Sequence, residues 1–123
     1  MPVSVSVREE LIGWHSWPAA DDTRRYLRSL HRHRFHVVLE LPVTHNDRDF
    51  EFHDMGDWLR LWWGDERSQR DRGSCETLAS EIAACARAIF GTAPVSVSVG
   101  EDGEAWATWR PRPDPEAAHV PNQ

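Results

Sequence analysis

The sequence predicts an α+β fold in which an antiparallel four-stranded sheet carries two helices on one face. Valine and serine alternate in two separate segments, which is the period of two expected for strands with one buried face. Between these segments lie two stretches whose apolar residues recur at helical offsets of three and four. The order strand, strand, helix, helix, strand, strand favours an antiparallel sheet covered by a layer of helices.

The first two strands are predicted in the N-terminal part of the chain. Valine and serine alternate over residues 3–7, and the apolar pattern continues toward Ile12. A polar, arginine-rich connection covers residues 19–30. The second strand, residues 31–43, is rich in Phe, Val and Leu and has Pro42 near its end.

Two helices follow, and each has a recognisable end. The first is predicted over residues 54–63 and stops at Gly64. The second begins after Ser74 as N-cap, has Thr77 at its third position, and closes at Gly91. The residues expected to face the sheet are Met55, Trp58, Leu59 and Trp62 in the first helix and Leu78, Ile82, Cys85, Ala86 and Ile89 in the second.

The last two strands are predicted to form a hairpin. Residues 95–99 repeat the valine–serine alternation, and a glycine-containing turn follows at residues 100–103. Residues 105–109 then supply the returning strand, which is rich in Ala and Trp.

Composition limits the domain organisation and the class of partner. The 123 residues fit one domain, residues 1–109, followed by a proline-rich tail at 110–123 that has no apolar period and is expected to be disordered. A net charge of −6 and the absence of lysine argue against a nucleic-acid partner. Arginines cluster locally over residues 24–34, which fits either an anionic ligand group or a solvated face.

The chain is expected to be cytoplasmic and to have no membrane partner. Its first residues lack the basic region and continuous apolar run of a signal peptide, and no window is apolar enough to cross a bilayer. Cys75 and Cys85 lie ten residues apart on one predicted helix, too far for a disulfide, so both are expected to be free thiols.

The tryptophan content predicts an oligomer. Seven tryptophans supply more apolar area than two helices need to cover in a domain of this size. We therefore expect the sheets of several copies to join or stack.

A group of histidines predicts a metal site. His31 and His33 lie on the same side of a strand because side chains repeat every two residues, whereas His36 points the other way. His15, at the end of the first strand, is the natural third ligand of a zinc ion with an open fourth position. The pair alone also fits a chance occurrence in a chain with seven histidines.

Four short motifs follow one another in a defined order. His-x-His enters a long strand, and a lone histidine closes the strand before it. Phe-Glu-Phe-His-Asp-Met occupies residues 50–55, Ser-Cys-Glu-Thr-Leu-Ala residues 74–79, and Val-Ser-Val-Gly-Glu residues 97–101. In this order they resemble the zinc signature, the two helix openings and the pterin-anchoring strand of the 6-pyruvoyltetrahydropterin synthase and 6-carboxytetrahydropterin synthase family. The resemblance covers about residues 3–109.

This resemblance implies a fold, an assembly and a metal. The family has the tunnelling fold, in which ββααββ units oligomerise into a β-barrel, so a homotrimer or homohexamer with pockets between subunits is expected. Zn²⁺ would be held by His15, His31 and His33. The expected substrate is a pterin- or guanine-like small molecule.

The resemblance also assigns residues to the substrate. Glu101 matches the glutamate that anchors the pterin and is expected to face the metal from the far side of the pocket, where one carboxylate can accept two adjacent N–H donors. Alternatively, Glu101 is a solvated turn residue. Ser74 and Glu76 belong to the same substrate side, unless they only cap and brace their helix.

The chain departs from the family where acid–base groups are expected. The position of the family's basic cysteine, four residues before His-x-His, is Leu27, and residues 61–67 contain no Asp-His pair. Arg32 replaces the glycine between the two ligands. Cys75 is either a displaced thiol or a small residue packed at a helix start.

Two functions therefore stay open. The first is a divergent, lyase-like zinc enzyme that acts on a pterin, a deazapurine precursor or a related molecule. The second is a non-catalytic zinc-containing binder or scaffold of the same fold.

Overall fold

A computed structural model describes residues 3–65 and 67–112. Its elements in chain order are β1 (Ser4–His15), β2 (His31–Pro42), α1 (Phe52–Trp63), α2 (Cys75–Phe90), β3 (Ser96–Glu101) and β4 (Ala105–Trp109). A short 3-10 helix, Asp22–Leu27, lies in the connection between β1 and β2. The strands form one antiparallel sheet in the order β1-β2-β3-β4, which confirms the predicted α+β class.

The sheet is open within this chain, and β1 and β4 are its two edges. The predicted barrel would require further copies and stays a prediction. No helix in the described ranges combines the length and the apolar character that crossing a lipid bilayer requires. The predicted tail, residues 110–123, lies outside the described residues from position 113 onward.

The core lies between one face of the sheet and both helices. From Phe35 to Leu41 every second residue of β2 is fully buried, and the same apolar cluster contains residues of α1 and α2. Burial repeats every two residues along the strand and every four residues along the helices, which is the pattern expected when helices pack on one sheet face. The fully buried members are Phe35, Val37, Leu39, Leu41, Met55, Leu59, Ile82, Ala86, Val97 and Val99.

The buried helix stripes follow offsets of four more closely than predicted. Trp63 is 2% exposed and continues the series from Met55 and Leu59. Ile89 is 62% exposed, so its predicted burial is wrong. Phe90, four residues beyond a buried alanine, packs against the core instead, because neighbouring helix positions differ by about 100° in direction.

The helix ends are set by their caps. Glu51 accepts a hydrogen bond from the backbone N–H of His53, so α1 starts two residues before its predicted position. Ser74 accepts from the N–H of Thr77 at 3.1 Å and begins α2 as predicted. Gly91 closes α2 with φ 73°, a left-handed conformation that glycine adopts without steric cost.

Trp63 and Arg72 fix the loop after α1 against the end of β1. The Arg72 guanidinium lies 4.4 Å from the Trp63 ring centre and donates to the Trp63 carbonyl at 2.5 Å, where it neutralises the negative end of the helix. The Arg72 backbone N–H donates to the Trp14 carbonyl at 2.8 Å. These contacts bring the following residue, Gly73, beside His15.

Candidate metal centre

The pairing of β1 with β2 brings the three predicted ligands together. His15 lies directly opposite His31, and Gly13 lies opposite His33. Since side chains alternate along both strands, all three imidazoles are on the face that the helices cover. His36 lies on the opposite face, as predicted.

The three rings surround one point. Their centroids are 4.6 Å apart for His15–His31 and 4.9 Å apart for both His15–His33 and His31–His33. One ring nitrogen of each histidine lies within 4.8 Å of those of the other two. His15 is 8% exposed, and Phe35 packs edge-on beneath it at 5.3 Å. The arrangement is a compact, largely buried set of three nitrogen donors.

Hydrogen bonds at Nδ1 fix the tautomer of each ring. The acceptors are the carbonyl oxygens of Gly73 and Ser29 and the Asp102 carboxylate, at 2.9, 2.8 and 2.8 Å from His15, His31 and His33 respectively. Carbonyls and carboxylates only accept, so each Nδ1 carries the hydrogen and each Nε2 of a neutral ring presents a lone pair. The Nε2 atoms of His31 and His33 are buried and have no hydrogen-bond partner in the described part of the chain.

Asp102 is a site residue that the sequence did not reveal. Its hydrogen bond from His33 is the largest cause that holds the pKa of its carboxyl group below the usual value, followed by the backbone N–H of Arg34. The carboxylate is therefore ionised at neutral pH. Because it accepts the Nδ1 hydrogen of His33, it makes the Nε2 atom of that ring a more basic electron-pair donor to a metal. Asp102 has φ 54°, a left-handed turn conformation that aspartate tolerates, and the Asp-Gly sequence with Gly103 was the available signal.

Glu101 touches the histidine cluster. Its Oε1 lies 3.2 Å from His15 Nε2, and its Oε2 lies 3.7 Å from His33 Nε2. Within this chain Glu101 lies beside the three imidazoles, and its predicted place across a pocket from the metal stays a prediction. The pairing of Phe35 with Glu101 explains the contact, because it sets β3 beside the ligand end of β2.

A cavity of about 510 Å³ opens beside the cluster. It brings together the three residues predicted for the substrate, Ser74, Glu76 and Glu101, with His15 and His31. The Ser74 hydroxyl is engaged as the N-cap of α2, whereas Glu76 is exposed in the first turn of that helix. The remaining lining residues are Ser16, Trp17, Leu27, Cys75, Ala105, Trp106 and Ala107.

Two tryptophans that the sequence did not single out are among the lining residues of this cavity. Trp17 is 52% exposed and Trp106 is 42% exposed. Trp106 packs on Gly100, where a Cβ atom would approach its ring to 2.6 Å, so only glycine allows that contact. Trp17 offers flat apolar surface to a planar ligand, whereas the Trp106 ring lies 6.0 Å from His36 and 5.7 Å from the Arg8 guanidinium, on the sheet face opposite the three imidazoles.

Cys75 reaches the same cavity, but it is not a ready base. Burial is the main cause that raises the pKa of its thiol to about 12, and the neighbouring Glu101 charge adds to it. The thiol therefore keeps its proton at neutral pH and donates to Glu101 Oε1 at 3.6 Å. Leu27 also lines the cavity and carries no acid–base group.

The arginine-rich segment does not converge on the cavity. Arg28 donates to the Ala20 carbonyl at 2.7 Å and to Asp22 at 2.9 Å, and Arg34 lies 3.6 Å from Glu10. The arginines of this segment are exposed, and none is among the cavity's lining residues. A solvated face accounts for them.

Known proteins add no family assignment to this geometry. Protein-family models give no match to the chain, and no curated protein matches it. The likeness to the pterin-synthase family thus rests on the sequence motifs and stays a prediction.

Proposed function

We propose that the chain is a cytoplasmic, zinc-dependent, lyase-like enzyme related to the 6-pyruvoyl- and 6-carboxytetrahydropterin synthases, with a pterin or related purine-derived molecule as its substrate. One observation carries the proposal. Three imidazoles with their Nδ1 atoms hydrogen-bonded bring one ring nitrogen each within 4.8 Å of the others, and two of them, His15 and His31, line the cavity.

The donor set fits a zinc ion. A buried polar atom without a partner costs about 1–3 kcal/mol, and the Nε2 atoms of His31 and His33 both lack one among the described residues. One cation at the centre of the cluster would satisfy both atoms and His15 as well. Imidazole suits zinc, and three histidines with an accessible cavity are the arrangement of catalytic rather than structural zinc.

The chain's own residues supply recognition. A bound zinc ion would act as a Lewis acid toward an oxygen of the ligand. The Glu101 carboxylate offers two oxygens to the adjacent N–H donors of an amino-pyrimidine ring. Trp17 offers an apolar wall for a flat bicyclic ring, and Glu76 adds a carboxylate at the rim.

A second candidate is a non-catalytic zinc-containing binder or scaffold. It is favoured by the groups at the cavity, where Leu27 replaces the family's basic cysteine and Cys75 keeps its proton. Proton abstraction needs a base with a suitable pKa. A binder with the same metal and walls would need none.

Calorimetry and turnover assays on zinc-loaded protein separate these functions. We would use oxidised and reduced pterins, pterin triphosphates and deazaguanines as the panel. Ligand binding with turnover supports the enzyme, and binding without turnover supports the binder. If no member of the panel binds while zinc is retained, the pterin proposal fails and the metal site alone stands.

Glu101 gives the sharpest variant for that panel. Replacing Glu101 by Ala or Gln should weaken ligand binding by a factor of roughly ten to a thousand, since ligand donors lose their acceptor. Zinc stoichiometry at saturating zinc should stay near one per chain. Glu104→Gln, in the same turn, removes the same charge and should bind like the wild type. Equal affinities in all of these proteins would remove Glu101 from ligand recognition.

Assembly is part of the proposal. The two edge strands β1 and β4 and the exposed Trp106 ring favour a cyclic homo-oligomer, a trimer or a hexamer, whose sheets join into a barrel. Light scattering at micromolar concentration should give a mass three or six times that of the chain. A monomer under these conditions would contradict this part of the proposal.

A further inference from the structure

We propose that Glu101 is a fourth ligand of the metal, so that a molecule entering the cavity must displace its carboxylate. This inference rests on the zinc site of the proposed function and adds a specific state to it. When the cavity is empty, three histidines and Glu101 occupy the four coordination positions of the metal. When a molecule enters the cavity, Glu101 leaves the metal and the fourth position becomes available to that molecule.

The Glu101 oxygens lie at ligand-to-ligand distances from the nitrogens of two imidazoles. In a tetrahedral zinc site with bonds of about 2.0–2.1 Å, neighbouring ligand atoms lie about 3.3–3.4 Å apart. Glu101 Oε1 is 3.2 Å from His15 Nε2, and Oε2 is 3.7 Å from His33 Nε2. The carboxylate thus stands at the spacing of two ligands on one ion, next to the point that the three rings surround.

The contact between His15 Nε2 and the Glu101 carboxylate brings two hydrogen-bond acceptors together. His15 donates its Nδ1 hydrogen to the Gly73 carbonyl, so its Nε2 atom is an acceptor in the neutral ring. An ionised carboxylate also only accepts. Two acceptors at 3.2 Å repel each other unless a positive centre lies between them.

The choice between a proton and a metal follows from the other two rings. A proton on His15 would satisfy one nitrogen and leave the buried Nε2 atoms of His31 and His33 without partners among the described residues. A metal ion satisfies all three nitrogens and the carboxylate together. The whole cluster, rather than one ion pair, therefore points to a four-ligand metal site that includes Glu101.

The surroundings of Glu101 allow it to move. Its side chain is 31% exposed and lines the cavity, and the Cys75 thiol donates to the same oxygen that faces His15. A displaced carboxylate therefore stays within the cavity wall, where it can accept N–H groups of the incoming molecule. Loss of its charge from the metal also makes the ion a stronger Lewis acid once the cavity is filled.

Cobalt(II) in place of zinc provides a test that does not depend on turnover. The wild type should bind one Co²⁺ per chain with the intense visible absorption of a four-coordinate ion. Glu101→Gln and Glu101→Ala should weaken binding at least about tenfold, since even partners outside the ligand set contribute about 10–100-fold. Their spectra should change in band position and intensity. Acetate added to Glu101→Ala should restore the wild-type spectrum.

The matched control is Glu104→Gln, which removes one carboxylate from the same turn and should keep the wild-type affinity and spectrum. If both Glu101 variants bind Co²⁺ with unchanged affinity and spectrum, Glu101 is not a ligand, although the three-histidine site survives. If the wild type binds neither Co²⁺ nor Zn²⁺, the metal proposal and this inference fall together. Circular dichroism of the metal-free variants establishes that the fold is intact.

Discussion

The two ends of the sheet both carry histidines and carboxylates, but only one end assembles them. At one end, three imidazoles from β1 and β2 meet within 4.8 Å, with Glu101 in contact. At the other end, His45, Asp49 and His53 line a separate cavity beside the start of α1. Within residues 3–65 and 67–112, no second group of three such side chains comes close enough to hold a metal.

At the second end, His45 forms its hydrogen bond within its own turn. His45 Nδ1 accepts a hydrogen bond from the backbone N–H of Asp47 at 3.2 Å, and its Nε2 lies 3.6 Å from Asp49. Its side chain is 54% exposed. Asp49 in turn accepts from both the N–H and the hydroxyl of Thr44, which is a local turn closure.

The difference lies in what positions the rings. Paired strands place His15 and His31 opposite each other through backbone hydrogen bonds, so each ring's position is fixed by the sheet. A loop satisfies His45 within five residues and leaves it in solvent. Residue type alone therefore does not bring three such side chains together here, and strand pairing does.

The largest expected effect separates the two ends directly. His33→Ala should lower zinc after dialysis well below the roughly one per chain of the wild type, because one of the three imidazoles is lost and only two rings and the Glu101 carboxylate are left to hold the ion. His45→Ala removes the same side chain from the second end and should retain all of the zinc. Metal analysis of protein purified without chelators measures both. Zinc retained in His33→Ala, or lost in His45→Ala, would overturn the comparison.

A smaller effect on zinc affinity is expected when a hydrogen-bond acceptor of one of the three imidazoles is changed. Asp102→Asn weakens the hydrogen bond that orients His33 and should lower zinc affinity by about 10–100-fold. Asp49→Asn is the matched control because that carboxylate serves only the second end. Competition with a chromophoric chelator gives the affinities. Identical affinities for the two variants would show that Asp102 only closes its turn.

The smallest effect concerns acid stability at the second end. Hydrogen bonds from Thr44, the backbone one first, lower the pKa of Asp49 in the folded chain. A lowered pKa means that its contribution to stability is present above the unfolded pKa of about 4 and is lost as the pH falls through the folded value. The free energy of unfolding of the wild type should thus fall more steeply below about pH 4 than that of Asp49→Asn.

Chemical denaturation at a series of pH values measures this slope. Asp47→Asn removes one charge from the same exposed turn without removing the Thr44 hydrogen bonds of Asp49, so it serves as the control variant. Parallel curves for the wild type and Asp49→Asn would show that the Thr44 hydrogen bonds do not favour the ionised form of Asp49.

Sequence reasoning reached the three imidazoles because strand alternation is a local property. His31 and His33 share a face by their spacing, and His15 needed only an antiparallel neighbour. The position of Glu101 was not accessible in this way. It depends on how β3 pairs with β2 across more than sixty residues of chain, and no local pattern sets that pairing.

The partners of the ligands were hidden for a different reason. Two of the three Nδ1 acceptors are backbone carbonyls, of Gly73 and Ser29, and every residue has such an oxygen. Only the loop geometry that Arg72 fixes brings Gly73 to His15. Helix burial was predicted well where offsets of four were used and failed at Ile89, where an offset of three was used.

The distribution of the site along the chain has a consequence for folding. All three imidazoles belong to β1 and β2, whereas the acceptors of His15 and His33 belong to Gly73 and Asp102, much later in the chain. During synthesis the first two strands are complete before either acceptor emerges. A nascent chain that ends after β2 thus contains all three imidazoles, but the His15 and His33 rings are still free to rotate because their hydrogen-bond acceptors are missing. We expect it to capture zinc weakly and to tighten its hold when the second half docks, so that metal retention reports completion of the fold.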